Sequence, residues 1–250
     1  MQSSQPAGER NAALYSSFWE VVPDYLRYNP GARHRRRLML RALPRTKCTS
    51  LLDVGCGDGL LLRILRHERP DIGSLAGADL AAAQVERNRE RMKNMKFHVL
   101  DIQTDALKET FDVVVCSEVV EHVEDQRKAV LHLSRMVSPG GWLVVTCPTG
   151  TMYHTEKHFG HVHHPTRSEL LAHAAAAGLR EVSTTNWGWP TYKLMKWATN
   201  VNPEWALRRF ASGPYTRFAK AVSNGLFWLN YLNAASHQRG CQLIAVFGRD

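Results

Sequence analysis

Three acidic residues follow short apolar runs at regular intervals. Asp53 lies in Leu51-Leu52-Asp53-Val54, Asp79 stands within residues 75–80, and Asp101 comes directly after residues 97–100. Between the first two acids lies Gly55-Cys56-Gly57-Asp58-Gly59. Glycines allow a tight turn and let backbone approach a ligand without Cβ interference. A strand that runs into such a loop and then a helix marks a ligand site at the carboxyl ends of a parallel sheet. A dinucleotide site carries G-x-G-x-x-G, with its pyrophosphate on the helix N-terminus. Here the spacing is G-x-G-x-G, and Asp58 occupies a loop in which a phosphate needs positive potential. That favours a cofactor with a cationic end. Asp79 follows the last glycine at about the interval expected of an acid that binds ribose hydroxyls. Asp101 is placed to accept from an adenine amino group. Each acid alone could be a loop carboxylate or a helix cap; three at successive strand ends have no such simple structural reason.

A second constellation is Glu118-Val119-Val120-Glu121-His122. If helical, it puts Glu118, Glu121 and His122 on one face. Two carboxylates and an imidazole suit a hard divalent ion, and His161 downstream completes a four-ligand set for Mg²⁺ or Mn²⁺. In the metal-free alternative the glutamate orients the loop, and His122 packs or serves as a base. A base is useful when the acceptor is a hydroxyl, which must lose its proton; Glu118, His122 and His161 are the catalytic candidates. His154, His158, His163 and His164 stand near Tyr153 and Phe159. One of them is a further candidate base, and most are expected to be solvated or hydrogen-bonded in loops.

The elements that must position these residues alternate. Strands are expected at residues 50–54, 75–80, 97–100, 111–116, 142–147, 180–185 and 242–247, with helices over 60–67, 81–95, 126–136 and 167–177 between them. Such alternation implies a mainly parallel sheet covered on both faces. Residues 14–43 read as helical, interrupted by a turn at Asn29-Pro30-Gly31. Ser138-Pro139-Gly140-Gly141 reads as a turn before the fifth strand. Residues 1–45 are expected to form a tail and lid, 46–186 with 240–250 the core, and 187–239 a helical cap inserted over the acceptor site. Eleven aromatic residues crowd that cap, Trp187 to Tyr231. They suit an apolar pocket, with ordinary core packing as the alternative for more than half of them. Leu226-Phe227-Trp228-Leu229 could also rest on a membrane surface. In the lid, Tyr15, Trp19, Tyr25 and Tyr28 are candidates for the pocket wall.

The bulk properties narrow the class. A chain of 250 residues with 44% hydrophobic content suits one large domain. Five dispersed cysteines imply reduced thiols and a cytoplasmic protein. The first residues lack the basic-then-apolar pattern of a secretion signal, and no run of apolar residues is long enough to span a bilayer. The net charge of +9 admits nucleic acid, anionic lipid, an acidic substrate or mere solubility. Its densest cluster is Arg33-His34-Arg35-Arg36-Arg37, a solvated helix face on the ordinary reading.

LLDVGCGDG, GADL, LDI, FDVVVCSEVVEHV and SPGGWLVVT, in this order, resemble the class I S-adenosylmethionine-dependent methyltransferases over residues 50–179. The resemblance implies a doubly wound, mostly parallel seven-stranded α/β sheet. It also implies S-adenosyl-L-methionine as cofactor, with the methionine end near Asp53, Gly55 and Gly57, the ribose on Asp79, and the adenine beside Leu80, Asp101 and Ile102. E-x-x-E-H followed by H-x-x-x-x-T-R further resembles metal-dependent small-RNA terminal 2′-O-methyltransferases, and more loosely the ubiquinone-pathway O-methyltransferases. In the former these positions bind a divalent ion. The chain departs from that pattern at Val162-His163-His164-Pro165, where an acidic-aromatic pair is missing. The expected function is methyl transfer to a small-molecule acceptor in biosynthesis, most readily at oxygen. The alternatives are metal-assisted RNA ribose 2′-O-methylation and a non-enzymatic binding domain.

Overall fold

The computed structural model describes Tyr15 and residues 24–210, 214–233 and 239–250. After a single turn of helix, α1 (Tyr25–Tyr28), comes α2 (Pro30–Ala42). Asn29-Pro30-Gly31, expected as a turn, instead opens α2. The Asn29 side chain accepts from the Ala32 N–H at 2.9 Å, and Pro30 takes the first helical position, where an N–H has no intrahelical partner. Gly31 lets the helix meet another element closely, because a Cβ there would run into the ring of Tyr192.

The core then alternates as β1 (Ser50–Val54), α3 (Leu60–Glu68), β2 (Ser74–Asp79), α4 (Ala82–Arg91), β3 (Lys96–Val99) and β4 (Phe111–Ser117). A 3₁₀ turn (Val120–His122) precedes α5 (Gln126–Arg135), β5 (Val137–Pro148), α6 (His154–His158), α7 (Arg167–Ala176) and β6 (Leu179–Trp187). Helices α8 (Thr191–Val201), α9 (Pro203–Phe210) and α10 (Arg217–Leu229) and a second 3₁₀ turn (Asn230–Leu232) lie between β6 and β7 (Gln242–Arg249). The seven strands form one sheet in the order β3-β2-β1-β4-β5-β7-β6. β7 runs antiparallel to both of its neighbours, and the pairings from β3 across to β5 are parallel.

The apolar strands still alternate by face. Leu52, Val54, Val114 and Val145 join Leu133 and Leu170 in one core. Leu51, Val113, Val115 and Val144 join Met39, Leu62 and Val85 in the other. Continuous hydrophobic runs are what strands covered on both faces require. All five cysteines are unbridged and buried, as small apolar residues.

Two local expectations are corrected. Ser138-Pro139-Gly140-Gly141 lies within β5. Val137 pairs with Phe111 and Trp142 with Val113, so the stretch is a bulged entry into the strand. The run from Glu118 to His122 is not a continuous helix. Glu118 has φ 58°, and only residues 120–122 form a helical turn.

Candidate active site

The glycine loop leaves β1 between β2 and the segment after β4. Gly55 and Cys56 both donate to the Ala78 carbonyl, at 2.8 and 3.1 Å. Gly55 has φ 74°, and a Cβ there would run into the Val119 side chain. The loop can therefore lie directly against the start of the acceptor side only with glycine. Asp79 accepts from the Gly57 N–H through Oδ2 at 2.8 Å and from the Ala81 N–H through Oδ1 at 2.9 Å. Asn88 donates to the Gly57 carbonyl at 2.7 Å. The loop is thus held before anything binds.

Asp53, Gly55, Gly57, Asp79, Leu80, Asp101 and Ile102, all expected in the cofactor site, line one cavity of about 440 Å³. Its size falls within the range of small-molecule sites. Burial, reinforced by Asp79 and Asp58, pushes the Asp53 carboxyl up to about 8. Burial also raises Asp79, against the lowering effect of its backbone donors. Asp58 itself does not supply the acidic character expected of it. Its carboxylate pairs with Arg63 at 2.9 Å, and the acids that line the cavity here are Asp53 and Asp79.

The cavity continues past the end of β4 to Glu118, His122 and His161. Glu118 holds its left-handed backbone, uncommon for a residue other than glycine, because several elements grip it. Its N–H donates to the Thr146 carbonyl at 2.8 Å. Arg35 Nη1 from α2 lies 3.1 Å from Oε2, Gln242 of β7 donates to Oε2 at 3.3 Å, and Thr146 of β5 donates to Oε1 at 3.2 Å. Among the described residues, potential metal-ligand atoms of Glu121, His122 and His161 come within 4.8 Å of one another. Glu118 is outside that group. The Glu121 carboxylate is wholly buried, and neither of its oxygens has a hydrogen-bond partner. Burial and the neighbouring Glu118 raise it well above the usual carboxylate range.

The histidines form a chain whose tautomers follow from its ends. His164 Nδ1 lies 3.3 Å from the Gly150 carbonyl, so that nitrogen carries the proton. His164 Nε2 then accepts from His161 Nδ1 at 2.9 Å, which leaves the lone pair of His161 on Nε2. The His122 and His161 rings meet edge to face at 4.6 Å. The Tyr15 hydroxyl donates to the Phe159 carbonyl at 3.1 Å and lies 3.4 Å from His122 Nε2, the geometry of an Nε2–H donor. Burial lowers His122 to about 4 and His161 to about 2, so both rings are neutral at pH 7. His154, His158 and His163 are exposed, as expected, but His154 and His158 lie on α6 and not in a loop.

Several lining residues were not assigned to the site from the sequence. Arg35, Phe159, Lys196, Asn200 and Gln242 all face the cavity. Lys196, buried on α8, lies 2.6 Å from Glu156 Oε1. They belong to no motif, and it is tertiary packing that gathers them. Of the lid aromatics, Tyr15 and Tyr25 line the cavity, and Trp19 falls outside the described residues. Of the cap aromatics, Tyr192 and Tyr215 line it. Trp187 is buried and stacks on Tyr192, ring centroids 4.9 Å apart, and most of the others point outward.

A family model described as a methyltransferase domain matches residues 25–184. The chain is 28% identical over 146 residues to the malonyl-[acyl-carrier protein] O-methyltransferase of a Paenibacillus species, covering 55% of this chain and 51% of that protein. It is 32% identical over 97 residues to the ubiquinone biosynthesis O-methyltransferase of Albidiferax ferrireducens, covering 37% of this chain and 38% of that protein. The matches thus span about half, or less, of the length of these relatives. Among solved structures it resembles the N-methyltransferase NodS of Bradyrhizobium japonicum in complex with S-adenosyl-L-homocysteine. The TM-score is 0.58 at 21% identity, over 97% of this chain and 96% of that one, a likeness of fold.

Proposed function

The chain belongs to the methyltransferase domain family, and we propose that it moves the methyl group of S-adenosylmethionine onto an oxygen of a small-molecule acceptor. One observation carries this reading: a single cavity runs from the three strand-end acids to the histidine chain, walled by Tyr15, Tyr25, Phe159 and Tyr192.

The residues at its first end fit the cofactor. Each oxygen of Asp79 takes one backbone N–H, which leaves acceptor capacity for two ribose hydroxyls. Leu80 and Ile102 flank the adenine, with Asp101 at its amino edge. Asp53 and the open faces of Gly55 and Gly57 receive the cationic methionine end. When bound, S-adenosylmethionine supplies an electrophilic methyl group on a sulfonium.

At the other end the acceptor hydroxyl must lose its proton as its oxygen forms the new bond to carbon. His161 is the base: its Nε2 carries the lone pair, and its Nδ1–H is anchored through His164 to the Gly150 carbonyl; burial weakens it as a base, so it takes the proton as the new bond to carbon makes the acceptor oxygen strongly acidic. His122, oriented by Tyr15, packs against the base and fixes its ring. Glu118 is a positioning residue that ties the lid to the sheet through Arg35. The aromatic walls exclude water and align the acceptor, which by itself accounts for much of the rate of a methyl transfer. His161→Gln should lower kcat by about 10²–10⁴, while calorimetry finds the cofactor affinity within twofold of the parent. An unchanged kcat would remove His161 from the chemistry.

The bare carboxylate of Glu121 supports a second reading, in which Glu121, His122 and His161 hold Mg²⁺ or Mn²⁺. A divalent ion there would lower the pKa of the acceptor hydroxyl. Exhaustive chelation should then abolish turnover, and Mn²⁺ should bind with an electron paramagnetic resonance signature that Glu121→Gln removes. Full activity after chelation, with no bound Mn²⁺ signal, would leave the imidazole base as the mechanism.

A further inference from the structure

Helix α8 is amphipathic in the wrong sense for a helix facing water. Tyr192, Met195, Lys196 and Thr199 recur at helical spacing on the side that lines the cavity. Leu194, Trp197 and Val201 stand on the outer side, 60%, 57% and 67% exposed. Helix α10 repeats the arrangement. It buries Ala219, Ser223 and Phe227 and presents Phe218, Val222 and Leu229 at the same spacing, with Trp228 64% exposed beside them. Among the described residues fourteen large apolar side chains are exposed, and eleven of these lie between residues 189 and 232. Surface helices ordinarily turn their apolar stripe toward the core, and so concentrated an exposed patch marks an interaction surface.

Charge identifies what covers it. Residues 188–233 carry six basic side chains and one acid, Glu204; of the six, only Lys196 is buried. Like charge opposes pairing with a second copy of the same face. The exposed aliphatic residues Leu194, Val201 and Leu232 offer no π-face for a nucleic-acid base. Lys220 pairs with Asp24 at 3.2 Å, and the other cations are interspersed with the exposed tryptophan, tyrosine and aliphatic residues along the segment, a mixture that matches the layered chemistry of a membrane interface. No helix among the described residues is long and apolar enough to cross a bilayer, so the contact is with one surface. We propose that the outer face of α8–α10 rests on an anionic lipid surface, whatever the acceptor of the methyl group is.

Vesicle sedimentation of the whole protein tests this, using phosphatidylglycerol–phosphatidylcholine mixtures and pure phosphatidylcholine. Binding to the anionic vesicles should exceed binding to the neutral ones by at least tenfold. The double variant Trp197→Ser/Trp228→Ser should lower the partition coefficient at least tenfold, with calorimetric cofactor affinity unchanged as proof of folding. Phe218→Ser/Val222→Ser, on one helix only, gives the same test should the first variant fail to fold. Absence of vesicle binding at low salt would overturn the proposal. So would binding that both variants leave intact, which is adsorption by charge alone. Self-association in solution without vesicle binding, lost in the same variants, would assign the face to a second copy instead.

Discussion

Asp53 sits at the end of β1 with its carboxyl buried beside Asp79, and burial pushes its pKa up to about 8. The ordinary aspartate value is about 4. Between those limits the folded, unliganded protein holds a proton that the unfolded chain has released. Its contribution to stability is therefore present at low pH and lost as pH rises toward 8. A cationic ligand reverses the preference, since an adjacent positive charge favours the ionised carboxyl. S-adenosylmethionine binding at pH 7 should thus release close to one proton. Calorimetry in buffers of different ionisation enthalpy should read that release, and it should vanish by pH 9. Asp53→Asn should bind the cofactor at least about tenfold more weakly yet melt at a higher temperature at pH 8.5. A binding enthalpy independent of buffer at pH 7 would contradict this account of Asp53. At this scale the strand-end acids could be read from the chain because strand ends and glycine spacing are local features. The neutralisation of Asp58 by Arg63, five residues on, is local too, but it depends on the rotamer that Arg63 adopts.

The pair Arg35–Glu118 joins α2 to the segment after β4, with both side chains less than one-fifth exposed. Removing one member of a buried pair leaves the other charge without compensation, at a cost on the order of 3 kcal/mol. For a chain of this size that is a fall in Tm of about 6–12 °C. Arg35→Gln should show such a loss, and Arg35→Met/Glu118→Gln should recover part of it. A double-mutant cycle with no coupling would mean that the clasp is not what holds the lid. The strand positions need only alternating apolar runs, and for β1 the expected and observed bounds coincide at residues 50–54. The elements that misled were those set by non-local pairing. Pro139 and Gly140 read as a turn on local chemistry, yet Val137 finds Phe111 across the sheet and draws them into β5. Glu118 broke the helical reading because three tertiary partners stabilise a backbone conformation that no spacing rule favours.

Over the whole molecule, the basic run at residues 33–37, expected as a solvated helix face, is instead largely spent on internal contacts. None of residues 33–37 is exposed. Arg33 lies over the Phe227 ring at 4.1 Å and Arg37 over Tyr231 at 4.0 Å, so they fasten α2 to α10 and the 3₁₀ turn that follows it. His34 packs against Trp187 at 4.9 Å. Arg36 donates to the Leu26 carbonyl at 3.2 Å. The aromatic cap was legible as composition, but which way each ring faced was not. A pattern of apolar residues reports burial only when the buried side is the apolar one, and α8 reverses that relation. An acceptor enclosed in the cavity makes few phosphate contacts, so activity should change little between 50 and about 200 mM salt, where an RNA enzyme loses affinity steeply. The most direct measurement is mass spectrometry of a metabolite extract incubated with the protein and methyl-deuterated S-adenosylmethionine. A small molecule carrying the labelled methyl on oxygen, absent with His161→Gln, is the result this account predicts. Label found only in RNA, with turnover that collapses at physiological salt, would contradict it.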